Sequence, residues 1–298
     1  MLFDLQGSVT RSAMSPSAPA SFPFQLVDAT GESVSFPACP ARIISLAPSI
    51  TECLFSLGLD KEIIGVTTYC DYPKEAGKKE KVGSLLILDT EKILSLTPDL
   101  ILAIKEGNQA AQVFRLRKLG LRVFVLNQAK ELGHVYRDIG LLGCLSGRKT
   151  QAQEVIRNMR IKVREVEQAL SSVRKRPLCF WQLGINPLIT AGKNTLAHDL
   201  IRLAGGENLA GGQQGYIHYS LDEVIARNPE IILMIGMGEA LQGYQALWEK
   251  FPQLAARKNG KILALNPDLV NRASPRIAEG LKSLAEALHP QAFVSPGR

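Results

Sequence analysis

Asp89-Thr-Glu-Lys-Ile-Leu-Ser-Leu-Thr-Pro-Asp-Leu-Ile-Leu102 and Ser220-Leu-Asp-Glu-Val-Ile-Ala-Arg-Asn-Pro-Glu-Ile-Ile-Leu233 are two versions of one pattern. Pro98 aligns with Pro229 and Asp99 with Glu230, which sets Glu91 opposite Asp222. Each copy reads as a capped helix of about two turns, a proline-bearing turn and a buried strand. A chain that carries this unit once in each half is expected to fold as two similar α/β lobes.

The flanking segments extend the pattern. Apolar strand-like runs at 42–47, 63–67, 100–104 and 122–126 are interleaved with helical runs at about 52–57, 89–96, 108–119 and 132–146. A second block has strands at 178–182, 230–235 and 261–265, with helices at about 194–204, 221–227, 240–249 and 275–288. Such alternation predicts mostly parallel sheets covered by helices. Ser49 and Glu52 have capping-box spacing, and Ser274-Pro275 reads as the cap and first residue of the last helix. Residues 24–37 read as a hairpin around Asp28-Ala-Thr-Gly31.

Between the blocks, Ala152, Ile156, Met159, Val163, Val166 and Leu170 recur at alternating spacings of four and three. That is one apolar stripe on a single helix, expected over 148–176 and about 40 Å long. Arg176-Pro177 is expected to end it, because the residue before proline avoids the helical region. The expected organisation is a flexible lead-in 1–23, a lobe 24–147, the interlobe helix 148–176, a lobe 177–289 and a tail 290–298. A ligand cleft between the lobes follows.

Composition narrows the function. Hydrophobic residues at 46% and charged residues at 21% exclude disorder along most of the chain. No apolar run approaches the length of a membrane span. The net charge of +7 is concentrated in 148–176, where it reads as the solvated face of the long helix. Without aromatic interleaving or a Lys/Arg tract it gives no nucleic-acid surface. Cys39, Cys53, Cys70, Cys144 and Cys179 are odd in number and form no CxxC, so neither a disulfide framework nor a zinc site is expected. Residues 1–21 hold no continuous apolar stretch of the secretory kind; taken alone, they point to the cytoplasm.

No catalytic constellation emerges. Gly236-Met-Gly238 follows a strand, but Leu241 interrupts the dinucleotide pattern. His134, His198, His218 and His289 lack metal-ligand spacing. No catalytic residue, metal or intrinsic cofactor is expected. The polar and aromatic signal sits in loops after strands, where open α/β sheets bind ligands: Thr67–Pro73, Leu183–Pro187 and Asn266–Arg276.

Together these stretches resemble a known family, over roughly residues 24–289. Arg42-Ile-Ile-Ser-Leu-Ala-Pro-Ser-Ile-Thr-Glu52, Tyr69-Cys-Asp-Tyr-Pro73, Leu96-Thr-Pro-Asp-Leu100, Gly184-Ile-Asn-Pro187, Gly205-Gly-Glu-Asn208 and Arg272-Ala-Ser-Pro-Arg-Ile277 are similar to motifs of ABC-importer substrate-binding proteins whose lobes are joined by one long helix. Members bind cobalamin, ferric siderophores or haem, and the second, fourth and last motifs resemble the cobalamin branch.

The resemblance implies that Tyr69 contacts the corrin and that Leu269, Val270, Asn271, Arg272 and Ala273 form the ligand loop of the second lobe. Tyr216 falls where that branch carries a cleft tryptophan. Glu91 and Asp222 match paired acids that dock on permease arginines, with Glu223 beside Asp222 as the other candidate. The sequence departs from the branch at Leu85, where it has a tryptophan, and at Leu269 and Val270, where it has large aromatics. The implied protein is a monomer, periplasmic or on the outer face of the inner membrane, that carries a corrinoid to an ABC permease dimer and its ATPase. The alternatives are a ferric-siderophore or haem carrier of the same class and, from another class, a cytoplasmic α/β enzyme using the cleft.

Overall fold

The structure is a computed structural model and describes residues 22–236 and 238–294. The lead-in over 1–21 and the tail over 295–298 lie outside the described residues. The chain opens with the antiparallel hairpin β1 (Phe24–Val27) and β2 (Ser33–Phe36), then β3 (Ile43–Ser45), α1 (Pro48–Ser56), β4 (Ile63–Val66), β5 (Glu80–Lys81), α2 (Thr90–Ser95), β6 (Leu100–Ile104), α3 (Ala110–Lys118), β7 (Val123–Leu126) and α4 (Leu132–Leu145). The long helix α5 (Lys149–Ala169) leads to β8 (Leu178–Gln182), β9 (Ile189–Ala191), α6 (Leu196–Leu203), β10 (Glu207–Asn208), β11 (Tyr216–His218), α7 (Leu221–Arg227) and β12 (Ile231–Ile235). Then come α8 (Glu239–Glu249), α9 (Ala255–Lys258), β13 (Ile262–Leu265), α10 (Pro267–Val270) and α11 (Ile277–Leu288), and a 3₁₀ turn at Pro290–Phe293 packs Phe293 on the core where a tail was expected from 290.

Two all-parallel sheets result. The first has strand order β5-β4-β3-β6-β7 and the second β10-β8-β12-β13. The repeated sequence unit is α2–β6 in one lobe and α7–β12 in the other, with Thr90 matched to Leu221 and Leu100 to Ile231 at the same offset. The short strands β5, β9, β10 and β11 escape sequence reading because two or three residues carry no periodicity.

Both faces of each sheet are buried, and residues alternate between them. Ile44, Ile101 and Ala103 face a local core with Val113 and Leu116, while Phe180, Ile232 and Met234 face another with Trp248. The opposite faces do not have separate cores. Ile43, Leu100 and Leu102 join Trp181, Leu233, Leu200 and Leu281 in one apolar cluster, with Met159, Val163 and Val166 of α5 running through it. The two lobes are therefore fused along α5, which packs on α4 of the first lobe and α11 of the second.

The helix is shorter than its charge pattern implied. It spans 21 residues, roughly 31 Å, and ends at Ala169 rather than at Arg176. Leu170 caps it in the helical region, and Ser171 turns its hydroxyl back onto Gln168 O at 2.7 Å. Two serines at 171–172 favour local side-chain bonding over helix continuation.

The α4–α5 corner depends on Gly143, where a Cβ would stand 2.5 Å from Ala152 Cβ and 3.1 Å from Arg148 O. Gly143→Val is expected to destabilise the protein by about 1–3 kcal/mol through overpacking, read as a lowered urea midpoint at unchanged slope.

Candidate functional site

The carboxyl ends of the two sheets meet, and the contact is ionic. Glu52 lies in α1, directly after β3, among buried Ile50, Thr51, Cys53 and Leu54. Only 2% of its side chain is exposed. A carboxylate in that position requires cations and donors, and the second lobe supplies them. Arg276 forms a fork on Glu52, Nη2 to Oε1 at 2.6 Å and Nε to Oε2 at 3.0 Å. Arg272 Nη1 donates to Oε1 at 2.9 Å, and Ser274 Oγ donates to Oε2 at 2.6 Å.

This replaces two sequence expectations. Ser49 and Glu52 do not form a capping box: α1 starts at Pro48 behind Ala47 without a side-chain cap. Ser274 does not cap the last helix, which starts at Ile277; its hydroxyl is committed to Glu52.

Arg272 is saturated. Besides Glu52 it holds Asp71 of the β4 loop at 2.6 Å and Asp268 of α10 at 2.8 Å. Arg276 lies flat over the Tyr72 ring, 3.6 Å from its centroid. Three carboxylates face two guanidiniums, so the junction keeps one negative charge in excess. The hydrogen bond from Arg272 holds the Asp71 carboxyl below its usual range. Burial works against the charge of Arg272, but the bonds to Asp71 and Glu52 outweigh it and raise its pKa. Arg276 is raised mainly by its bonds to Glu52.

Several large apolar groups in or beside the loops after strands are exposed. Tyr69 is 57% exposed although its neighbours are pinned: Thr68 N donates to Gly83 O at 2.9 Å, and the Cys70 thiol sits 3.1 Å from Thr51 Oγ1 and 3.2 Å from Thr67 Oγ1. Tyr216 in β11, opposite Ala191 of β9, is 50% exposed, and Ile185 in the β8–β9 loop is also exposed. Fixed rings of this kind offer apolar area at little entropic cost.

The sequence-predicted ligand loop is only partly open. Asn271 is exposed, whereas Leu269 and Ala273 pack against the core and Val270 is buried within it. The reason is the approach of α10 to α11: a Cβ on Gly280 would stand 2.1 Å from Leu269 O. Leu85 is half-buried and core-packed, its carbonyl held by Asn108 Nδ2 at 3.2 Å. Glu52, Asp71, Tyr72, Asp268 and Arg276 went unassigned by sequence reading. An acid embedded in an apolar helical stretch was the available signal for Glu52.

The paired acids occupy equivalent places. Glu91 and Asp222 are both second residues of their helices, behind caps Asp89 and Ser220, whose side chains accept from Lys92 N and Glu223 N. Both acids are exposed and neither makes an ion pair among the described residues. Glu223 differs, because its carboxylate accepts from Tyr219 Oη at 2.7 Å. No group of three or more His, Cys, Asp or Glu among the described residues is placed to hold a metal ion. Among those residues, too, no helix is long and apolar enough to cross a membrane.

Asp138 of α4 is the one carboxyl whose burial clearly dominates. Desolvation pushes its pKa up to about 6, with Arg137 opposing.

A family described as periplasmic binding protein matches residues 43–269. An uncharacterized ABC transporter substrate-binding lipoprotein of Bacillus subtilis is 30% identical over 277 residues, covering 91% of this chain and 87% of that protein. A vitamin B12-binding protein of Yersinia pestis is 33% identical over 249 residues, 83% of this chain and 86% of the relative. Among solved structures, a possible iron-binding periplasmic protein of Staphylococcus epidermidis superposes with a TM-score of 0.76 at 31% identity, over 85% of this chain and 100% of that one.

Two stability predictions follow from this geometry. Glu52→Ala strands the partly buried Arg276 guanidinium, while Arg272 keeps Asp71 and Asp268, and is expected to cost roughly 3 kcal/mol, read by denaturant unfolding. Glu52→Gln, which keeps one acceptor oxygen for the guanidiniums and can turn its amide N–H toward Ser274 Oγ, should cost less. For Asp138 the folded pKa exceeds the unfolded one, so the folded state binds the proton more tightly and stability declines as pH rises from about 4 to about 6. Asp138→Asn should flatten that slope and raise the neutral-pH melting temperature; an unchanged profile would remove Asp138 as its source.

With its two fused parallel-sheet lobes and the match over 43–269, the chain belongs to the periplasmic binding protein family, as a transport substrate-binding protein of the ABC-transporter kind and not an enzyme.

Proposed function

We propose that this protein binds cobalamin or a related corrinoid between its lobes, in the periplasm or on the outer face of the inner membrane, and delivers it to an ABC permease dimer driven by its ATPase. The observation that carries the reading is the charge state of the cleft floor. Arg272 and Arg276 are already neutralised by Glu52, Asp71 and Asp268. A floor with excess negative charge disfavours ligands that present carboxylates, such as haem propionates or anionic ferric siderophores. It tolerates a large, flat ligand with neutral amide edges, which the exposed rings of Tyr69 and Tyr216 suit. Asn271 adds an exposed amide to the same loop.

In this reading Arg272 acts on the ligand through position, by holding Asp71 and Asp268, and Leu269, Val270 and Ala273 support the loop from behind. Glu91 and Asp222 are the docking pair. Glu223 orients the α7 end through Tyr219. The name of the Yersinia relative supports the corrinoid. The name of the Staphylococcus relative favours an iron carrier as the second reading.

Calorimetric titration separates the two. Cyanocobalamin is expected to give a one-to-one isotherm that Tyr69→Ala weakens about tenfold, with haemin and ferric siderophores giving none. Saturable haemin or siderophore binding without cyanocobalamin binding would establish the iron reading. The Glu91→Ala, Asp222→Ala double variant is expected to bind as the parent does and to lose uptake; loss of binding would refute the docking role.

A further inference from the structure

The basic cluster 148–176 does not all lie on α5. Arg174, Lys175 and Arg176 follow the helix end, and Lys175 pairs with Glu230. Arg176 makes no hydrogen bond or ion pair among the described residues. It lines a groove of about 380 Å³ with Arg202, Arg227, His198, Glu207 and Asn208. Arg176 precedes β8 and Arg227 ends α7 ahead of β12, so the groove lies at the amino ends of the second sheet. The ligand cleft is at the carboxyl ends, and the two sites are separate.

The groove is built by the Gly205-Gly-Glu-Asn208 segment, which the cleft does not use. Gly206 seats the backbone on the core: a Cβ there would stand 3.0 Å from Ile201 Cγ2 and Leu288 Cδ1. Asn208 is buried and committed, its Nδ2 donating to Ala191 O at 2.7 Å and its Oδ1 accepting from Ala210 N at 3.1 Å. The same Nδ2 lies 3.2 Å from His198 Nδ1, which therefore accepts and leaves the ring proton on Nε2. Two of the arginines are anchored. Arg227 Nη1 donates to Leu209 O at 2.7 Å and the same side chain bonds Tyr219, while Arg202 Nη2 donates to Asp199 Oδ1 at 2.8 Å. Arg176 has no side-chain partner among the described residues.

Three guanidiniums and an imidazole N–H stand against the lining carboxylate of Glu207 and the Asp199 carboxylate paired with Arg202, which leaves the groove net positive and suited to an oxyanion that guanidinium forks match in shape as well as charge. The volume exceeds that of an inorganic anion and falls in the range of small-molecule pockets. We propose that this groove is a second binding site, for a phosphate-bearing small molecule.

The test uses the full chain. Inorganic pyrophosphate and adenosine monophosphate are titrated and followed by phosphorus NMR, with sodium sulfate at matched ionic strength as the control for bulk charge. In parallel, the protein is sedimented with phosphatidylcholine vesicles with and without phosphatidic acid. Saturable one-site binding that weakens about tenfold in Arg176→Ala and further in the Arg176→Ala, Arg202→Ala double variant supports the site. Cyanocobalamin binding, as the fold control, should not change. Binding to soluble phosphates identifies a free phosphate ester as the ligand class, and Arg176-dependent sedimentation with phosphatidic acid alone identifies a lipid headgroup. The proposal is overturned if neither probe binds, or if binding is the same in Arg176→Ala as in the parent.

Discussion

Glu52 places a carboxylate where almost no water reaches it, and everything around the lobe junction answers that charge. An unpaired carboxylate there would be untenable, so α1 of the first lobe requires the Arg272–Arg276 loop of the second. That demand fixes the loop after β13, fixes Tyr72 beneath Arg276, and draws Asp71 and Asp268 onto the far side of Arg272. The junction thus carries a set charge and one located aromatic residue, Tyr72. A neutral polar pair in the same place would join the lobes without determining what charge the ligand meets.

The apolar packing reinforces the ionic contact. One cluster runs from the inner face of each sheet through α5, so separating the lobes would expose continuous core as well as break ion pairs. Glu91 and Asp222 take the second position of each matched helix. The internal repeat supplies that symmetry: the same cap, helix turn and buried strand place the same charge in each lobe.

The second lobe also divides its functions by strand polarity. Carboxyl ends feed the cleft, while the amino ends carry the arginine groove, whose floor rests on the same α6 and α11 side chains that complete the common core. Most of the basic residues of 148–176 lie on α5, and Arg174, Lys175 and Arg176 follow its end. Arg176 belongs to a linker, because the serines at 171–172 stop α5 early.

Local order decided much of this fold within the sequence. The echo of 89–102 in 220–233, the strand–helix alternation and the stripe from Ala152 to Val166 each depend on periodicity, which residues express through their neighbours along the chain. The two lobes, the parallel sheets and the matched acids were legible for that reason, and the loops after strands were legible as punctuation. The partner of Glu52 was not. Its spacing from Ser49 satisfied a local rule, yet the carboxylate faces a loop more than two hundred residues away, and no local pattern encodes which distant cation will arrive. The same holds for Val270 and Leu269, for which the family resemblance implied ligand contact and which the close packing of α10 on Gly280 sets against the core. Sequence by itself determined the elements and their symmetry, because these follow from near-neighbour periodicity. Tertiary structure alone decided which charges are spent across the junction and which rings remain free, because burial and electrostatic pairing are properties of the assembled lobes.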